Sequence, residues 1–147
     1  MAGYWNKADE TARALRGGWY RTGDLAYMDD DAYVFHVDRS KDMIVTGGEN
    51  VYCSEVENAL YQHPAVAEAA VFAVPHPRWG EAVHAALVVR TAVDEEELRE
   101  HCRALIADYK VPKTFEFHSE LPKSGAGKIL KRELRQPHWA DHQGFVG

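Results

Sequence analysis

The chain has 147 residues, 46% hydrophobic and 27% charged, which is the composition of an ordinary globular domain with enough apolar material for a core. A formal net charge of −6 and a pI near 5.7 argue against bulk binding to nucleic acid or to an anionic membrane surface, and favour small molecules or proteins as partners. No apolar stretch approaches a membrane span or a signal-peptide core, and Cys53 and Cys102 fit no CxxC or zinc spacing, so the expectation is a soluble, cytoplasmic protein with two free thiols.

Residues 1–17 read as a lead-in with a candidate helix from Lys7 to Leu15. Leu25–Met28 and Tyr33–Val37 flank Asp29-Asp30-Asp31-Ala32, turn chemistry that predicts a β-hairpin. The three aspartates lack the EF-hand spacing and its distant glutamate, so a turn is favoured over a metal site. After Val37 the polar run Asp38-Arg39-Ser40-Lys41-Asp42 forms an exposed joint before a second short strand, Met43–Thr46. Gly47-Gly48-Glu49-Asn50 then reads as a loop whose glycines allow special backbone geometry or close approach of a ligand.

Ser54 and Glu57 have capping-box spacing, and Val56, Ala59 and Leu60 share one face of a helix that stops near His63-Pro64. Val66–Val74 and Val83–Val89 are nearly continuous apolar runs and predict two buried central strands, with Pro75–Glu81 between them as loop. Asp94 caps a further helix that carries Leu98, Cys102, Leu105 and Ile106 as one stripe. Thr114–His118 alternates as a half-buried strand, and Ile129–Arg135 forms a short terminal helix. The fold class is α+β: a short N-terminal β-hairpin and a roughly three-stranded sheet flanked by helices. The expected organisation is residues 1–37, then 38–136, then a loosely ordered tail 137–147.

Several short motifs carry chemistry or a plainer role. Asp24 in Thr22-Gly23-Asp24 either accepts hydrogen bonds from a ribose diol or closes a turn, and Arg39 either grips a phosphate or sugar or pairs with Asp38 or Asp42. Pro122-Lys123-Ser124-Gly125-Ala126-Gly127-Lys128 is not a Walker loop, since proline replaces its first glycine and Ile129 its Ser/Thr. What remains is a glycine loop presenting Lys128, a mobile cation suited to carboxylate or phosphoryl oxygens or an ordinary surface lysine. His138 and His142 have an i, i+4 zinc spacing without a nearby third ligand in sequence, so no metal site is assigned. The cluster Lys123, Lys128, Lys131, Arg132 and Arg135 lacks interleaved aromatics and reads as a solvated face rather than a nucleic-acid surface.

In order, Gly18-Trp19-Tyr20-Arg21-Thr22-Gly23-Asp24, Asp38-Arg39-Ser40-Lys41-Asp42, Gly47-Gly48-Glu49-Asn50 and Pro122–Ile129 resemble the C-terminal end of the adenylate-forming superfamily: acyl-CoA ligases, luciferases and peptide-synthetase adenylation domains. The resemblance runs from Gly3 to Arg135. It implies an ATP-dependent, AMP-forming ligase that activates a carboxylic acid, a fatty acid by analogy with the Gly-Gly-Glu-Asn-Val-Tyr loop, as acyl-adenylate and passes the acyl group to coenzyme A. Residues 1–37 would then end a large N-terminal domain and 38–136 would be the mobile C-terminal domain. By the match, Asp24 and Arg39 hold the ribose of ATP or AMP, Lys41 is the hinge, and Lys128 stabilises charge during adenylation. Gly47, Gly48 and Glu49 line the path of the pantetheine arm.

Two departures accompany the resemblance. Ala32 stands where glycine is common in the acidic turn, and nothing in the chain corresponds to the N-terminal domain that supplies the ATP loop, the Mg2+ ligand and the acyl pocket. Met1 falls at an interior position of the family's chains, so the expectation is a fragment that is inactive without its own N-terminal domain. The alternative is a stand-alone, non-catalytic binding module derived from such a ligase.

Overall fold

A computed structural model describes residues 1–140 of the chain. The backbone divides into two compact units, Met1–Lys41 and a second that begins at Asp42. No helix among the described residues is long and apolar enough to cross a membrane.

The first unit holds helix α1 (Ala8–Ala14) and the antiparallel hairpin of β1 (Asp24–Met28) and β2 (Val34–Arg39). The acidic run closes this hairpin. Oδ1 of Asp29 accepts from the amides of Asp31 (3.1 Å) and Tyr33 (2.9 Å), so that carboxylate holds the turn. Ala32 has φ of +65°, a left-handed value that costs a non-glycine residue about 1 kcal/mol. Asp38 and Arg39, placed by the sequence in the joint, lie in strand β2 opposite Leu25 and Asp24.

The second unit is a five-stranded sheet covered by helices. Strand β3 (Ile44–Thr46) forms a hairpin with β4 (Glu49–Val51); β5 (Val66–His76) and β6 (Gly80–Val89) form a long antiparallel pair; β7 (Thr114–Phe117) runs parallel to β6. The order is β4-β3-β6-β5, with β3 and β7 sharing the second edge of β6. The expected three strands are thus the core β5-β6-β7, extended by a small hairpin. Successive residues of β5 and β6 serve opposite faces, which explains their unbroken apolar runs. Ala69, Val71, Val83, Ala85 and Leu87 pack with Val56 and Leu60 of α2 (Cys53–Tyr61) and with Leu98 and Cys102 of α3 (Glu95–Leu105). Ala70, Phe72 and Ala86 join Leu121, with Ile129 and Leu134 of α4 (Lys131–Trp139) packed against them.

Several expectations change. Pro75 and Glu81 are paired strand residues, leaving only Pro77–Trp79 as loop. Proline is tolerated there because β5 is an edge strand in the hydrogen-bonding order, central only in being covered on both faces. The free edge of β5 is met by side chains: Tyr61 Oη accepts from the Ala69 amide (3.1 Å), Glu57 Oε1 from the Val71 amide (2.7 Å), and Trp139 Nε1 donates to the Ala73 carbonyl (2.9 Å). Glu57 thus reaches across to the sheet edge; α2 begins at Cys53, after an N-cap Tyr52 that makes no side-chain cap bond. Asp94 does cap α3, accepting from the Glu97 amide at 2.8 Å. Leu105 departs from its stripe and is exposed. Residues 137–139, expected in the tail, lie in α4, which carries Pro137 and ends at Trp139, held to β5 by the indole bond.

Candidate functional site

In the first unit, two of the sequence motifs meet. Both the amide and the hydroxyl of Ser40 donate to the Gly23 carbonyl, at 2.8 and 3.1 Å, fastening the end of β2 to the turn before β1. The Asp24 amide donates to Thr22 Oγ1 at 3.0 Å. Asp24 and Arg39 are register partners, and Arg39 Nε lies 3.7 Å from Asp24 Oδ1. The arginine pairs across the hairpin rather than with its chain neighbours Asp38 or Asp42. A register shift between Leu25 and Ala26 leaves Val37 as the extra residue and pairs Ala26 with His36. This bulge turns His36 onto the same face, its Nε2 3.7 Å from Asp24 Oδ1. The result is a partly exposed carboxylate flanked by a guanidinium and an imidazole, a surface able to accept from hydroxyls and to donate to an anion. His36 carried no signal in the sequence, because only the bulge brings it round.

Lys41 lies in the 3₁₀ turn Ser40–Asp42, and the division between the two units falls immediately after it.

In the second unit the Gly47-Gly48 pair is the two-residue turn of the β3–β4 hairpin, with φ of +59° and +90°. Two positive φ values in a two-residue hairpin demand glycine-like residues, so the turn alone accounts for the pair. The Gly47 amide donates to the Trp79 carbonyl at 3.1 Å, and the Trp79 ring stacks on His76 with centroids 4.1 Å apart. The glycine turn is therefore seated on the β5–β6 turn. Glu49 is exposed at the start of β4.

The Lys128 loop is a closed turn. Lys123 bridges to Ile129, the Ser124 amide donates to the Lys128 carbonyl, the Gly127 amide to the Ser124 carbonyl, and the Lys128 amide to Ser124 Oγ at 3.3 Å. The Lys128 side chain is exposed and makes no ion pair among the described residues. Its basic neighbours differ: Lys123 pairs with Glu68 at 2.6 Å, and Lys131 with Glu57 at 2.7 Å. Those pairs weaken the case for a continuous polyanion surface. Lys131 is largely buried; burial pulls its pKa down, but the charges of Glu57, Cys53 and Asp42 and the hydrogen bond to Glu57 together outweigh it, and the net shift is upward. The Asp24–Arg39 pair and Lys128 thus belong to different units.

The resemblance places the Mg2+ ligand in the N-terminal domain and not in this chain. Among the described residues one cluster of three metal-competent side chains occurs, His84, Glu116 and His138, and its two imidazoles suit a softer ion than magnesium, which takes oxygen ligands. His84 lies within the apolar run Val83–Val89 of β6, and burial, with His138 close by, pushes its pKa down to about 4. His142 lies outside the described residues.

The family model for the AMP-binding enzyme C-terminal domain matches residues 55–128. The chain belongs to this family. A long-chain-fatty-acid–CoA ligase of Bacillus subtilis is 48% identical over 144 residues, 97% of this chain and 26% of that protein. A feruloyl-CoA synthase of an Amycolatopsis species is 50% identical over 138 residues, 92% of this chain and 28% of its own. Among solved structures, the Bacillus subtilis o-succinylbenzoate CoA synthetase in complex with its acyl-adenylate intermediate superposes with a TM-score of 0.87 at 39% identity, over 91% of this chain and 28% of that one. As an AMP-binding enzyme C-terminal domain, the chain spans about a quarter of the length of the curated relatives it matches. Its α+β architecture is that of these small C-terminal domains.

Proposed function

We propose that this chain is the C-terminal part of an ATP-dependent, AMP-forming acyl-CoA ligase, inactive without an N-terminal domain of its own. In the first step a carboxylate oxygen attacks the α-phosphorus of ATP, the bond to the β-phosphate oxygen breaks, and pyrophosphate leaves. In the second the thiolate of coenzyme A attacks the acyl carbon, the bond to the adenylate oxygen breaks, and AMP departs. The reading places residues 1–37, with Asp38 and Arg39 of the same hairpin, at the end of the large domain and the residues after the Lys41 joint, to 136, in the mobile one, in the cytoplasm. The acid is a carboxylic acid, with a fatty acid as the narrower proposal; the relatives named for fatty, ferulic and succinylbenzoic acids share this domain and differ in substrate.

The observation that carries the proposal is Lys128: an exposed ammonium without an ion pair among the described residues, carried on a closed glycine turn. A cation free to meet charge as it develops on phosphoryl and carboxylate oxygens lowers the barrier to adenylation. Asp24 accepts from the ribose hydroxyls and Arg39 steadies the same sugar. Lys41, at the division between the units, is the hinge, and Gly47, Gly48 and Glu49 admit the pantetheine arm after rotation. The apolar surface of the first unit, with Trp5 90% and Trp19 80% exposed, is also what a partner domain would cover.

The test is Lys128→Ala in the complete ligase. The expected result is loss of adenylation on the order of a hundredfold or more, with thioester formation from supplied acyl-adenylate nearly unchanged. Equal losses in both half-reactions would overturn the role of Lys128. A native product with no N-terminal domain and no adenylation would favour the non-catalytic module.

A further inference from the structure

His84, Glu116 and His138 come from β6, β7 and α4 and converge on one point. Nε2 of His84 and Nε2 of His138 lie 3.7 and 3.6 Å from the same atom, Glu116 Oε2, and the three side chains each bring a ligand atom within 4.8 Å of the other two. A tetrahedral ion with ligands at about 2.0–2.1 Å has ligand-to-ligand edges of roughly 3.4 Å, so movements of a few tenths of an ångström bring the two measured edges to that value. The His84 side chain is only 5% exposed, and its Nε2 is buried without a hydrogen-bond partner. Such an orphaned polar atom calls for a ligand.

The surroundings orient that atom. Nδ1 of His84 lies 2.7 Å from Thr114 Oγ1. In the tautomer that donates Nδ1–H to the hydroxyl, the Nε2 lone pair faces Glu116, the arrangement by which an outer partner fixes a metal-binding imidazole. His118 Nε2 lies 3.3 Å from the other carboxylate oxygen, Oε1, without hydrogen-bond geometry, and flanks Glu116 on its far side. A recess of about 320 Å³ lined by Val74, Pro75, His84, Thr114 and His138 is open to solvent and provides an entry path.

We propose that His84, Glu116 and His138 form a binding site for Zn2+, with a fourth coordination position open to the recess. The site joins two strands to the last helix, so the ion binds the folded state selectively. The ordinary alternative is that these residues only make histidine–carboxylate contacts that dock α4.

The experiment is calorimetric titration of zinc into the untagged, chelator-treated 147-residue chain at neutral pH. The expected result is one saturable site, a rise in Tm of about 5 °C or more at saturation, and an intense visible spectrum when Co2+ is substituted. Glu116→Gln and His84→Gln each weaken binding about tenfold or more, while His142→Ala leaves it unchanged. Because a change at buried His84 can disturb the fold, Glu116→Gln, on a half-exposed carboxylate, carries the test, with circular dichroism as the check. Absence of saturable binding overturns the proposal. So does full binding in Glu116→Gln, or binding lost in His142→Ala but kept in His84→Gln, which would assign the ion to the His138–His142 pair.

Discussion

Arg39 reaches across the first rung of the β1–β2 hairpin to bring Nε within 3.7 Å of Asp24 Oδ1. At 57% and 37% side-chain exposure, a pair this long adds little to stability, and its value lies in holding a carboxylate and a guanidinium side by side on one face. In the complete ligase, Asp24→Asn should raise KM for ATP on the order of tenfold, because an amide is a weaker acceptor for the ribose hydroxyls. Melting of the purified protein should hardly change. A KM left at the wild-type value would remove Asp24 from nucleotide binding.

Lys41 offers a kinetic separation. A proline there fixes φ within the 3₁₀ turn Ser40–Asp42 and obstructs rotation about the joint. Single-turnover measurements on Lys41→Pro should show acyl-adenylate forming at close to the normal rate and thioester formation slowed about tenfold or more. Unimpaired thioesterification would move the hinge elsewhere.

Ala32 predicts a gain. Its φ of +65° is strained for alanine and natural for glycine, so Ala32→Gly should stabilise the hairpin turn by about 1 kcal/mol. Hydrogen exchange at the Asp29 amide, bonded to the Tyr33 carbonyl, should slow about fivefold, and Ala32→Val should speed it.

The Glu57–Lys131 pair predicts a loss. Glu57→Gln leaves the ammonium of Lys131 largely buried beside a neutral amide and should cost about 2 kcal/mol in denaturant unfolding. Glu57→Gln with Lys131→Met should recover part of it. The folded pKa of Lys131 is raised, so its contribution is fully present below 10.5, the ordinary lysine value, and is lost as pH rises through the folded value. The wild type should therefore lose stability in strongly alkaline buffer more steeply than Glu57→Gln.

What the sequence reveals depends on whether a signal is local. The acidic turn, the Asp94 cap and the two apolar strands follow from neighbouring residues, and the structure has all of them. Gly47-Gly48 reads only as a loop in the sequence, because ligand approach competes with turn geometry as a reason for paired glycines, and only the register of Thr46 with Glu49 decides the backbone. Ser54 and Glu57 have the spacing of a capping box, a local signal that says nothing of the contacts Glu57 makes with the Val71 amide at the sheet edge and with Lys131 of the last helix. His36 on the Asp24 face, and His84 beside Glu116 and His138, arise from a bulge and from three elements distant in sequence. A histidine within the apolar run Val83–Val89 and the i, i+4 spacing of His138 with His142 were hints of the latter, with nothing in the sequence to join them.

Tyr61, Glu57 and Trp139 occupy successive outward backbone groups along β5, and they come from two helices at opposite ends of the second unit's sequence. An uncovered strand of this length and hydrophobicity would be a template on which other chains could polymerise. The last described turn of α4 therefore acts as a guard against self-association as much as a structural end. Chains cut before Trp139 should recruit one another edge to edge, accumulating as insoluble protein during expression even where their cores can still form.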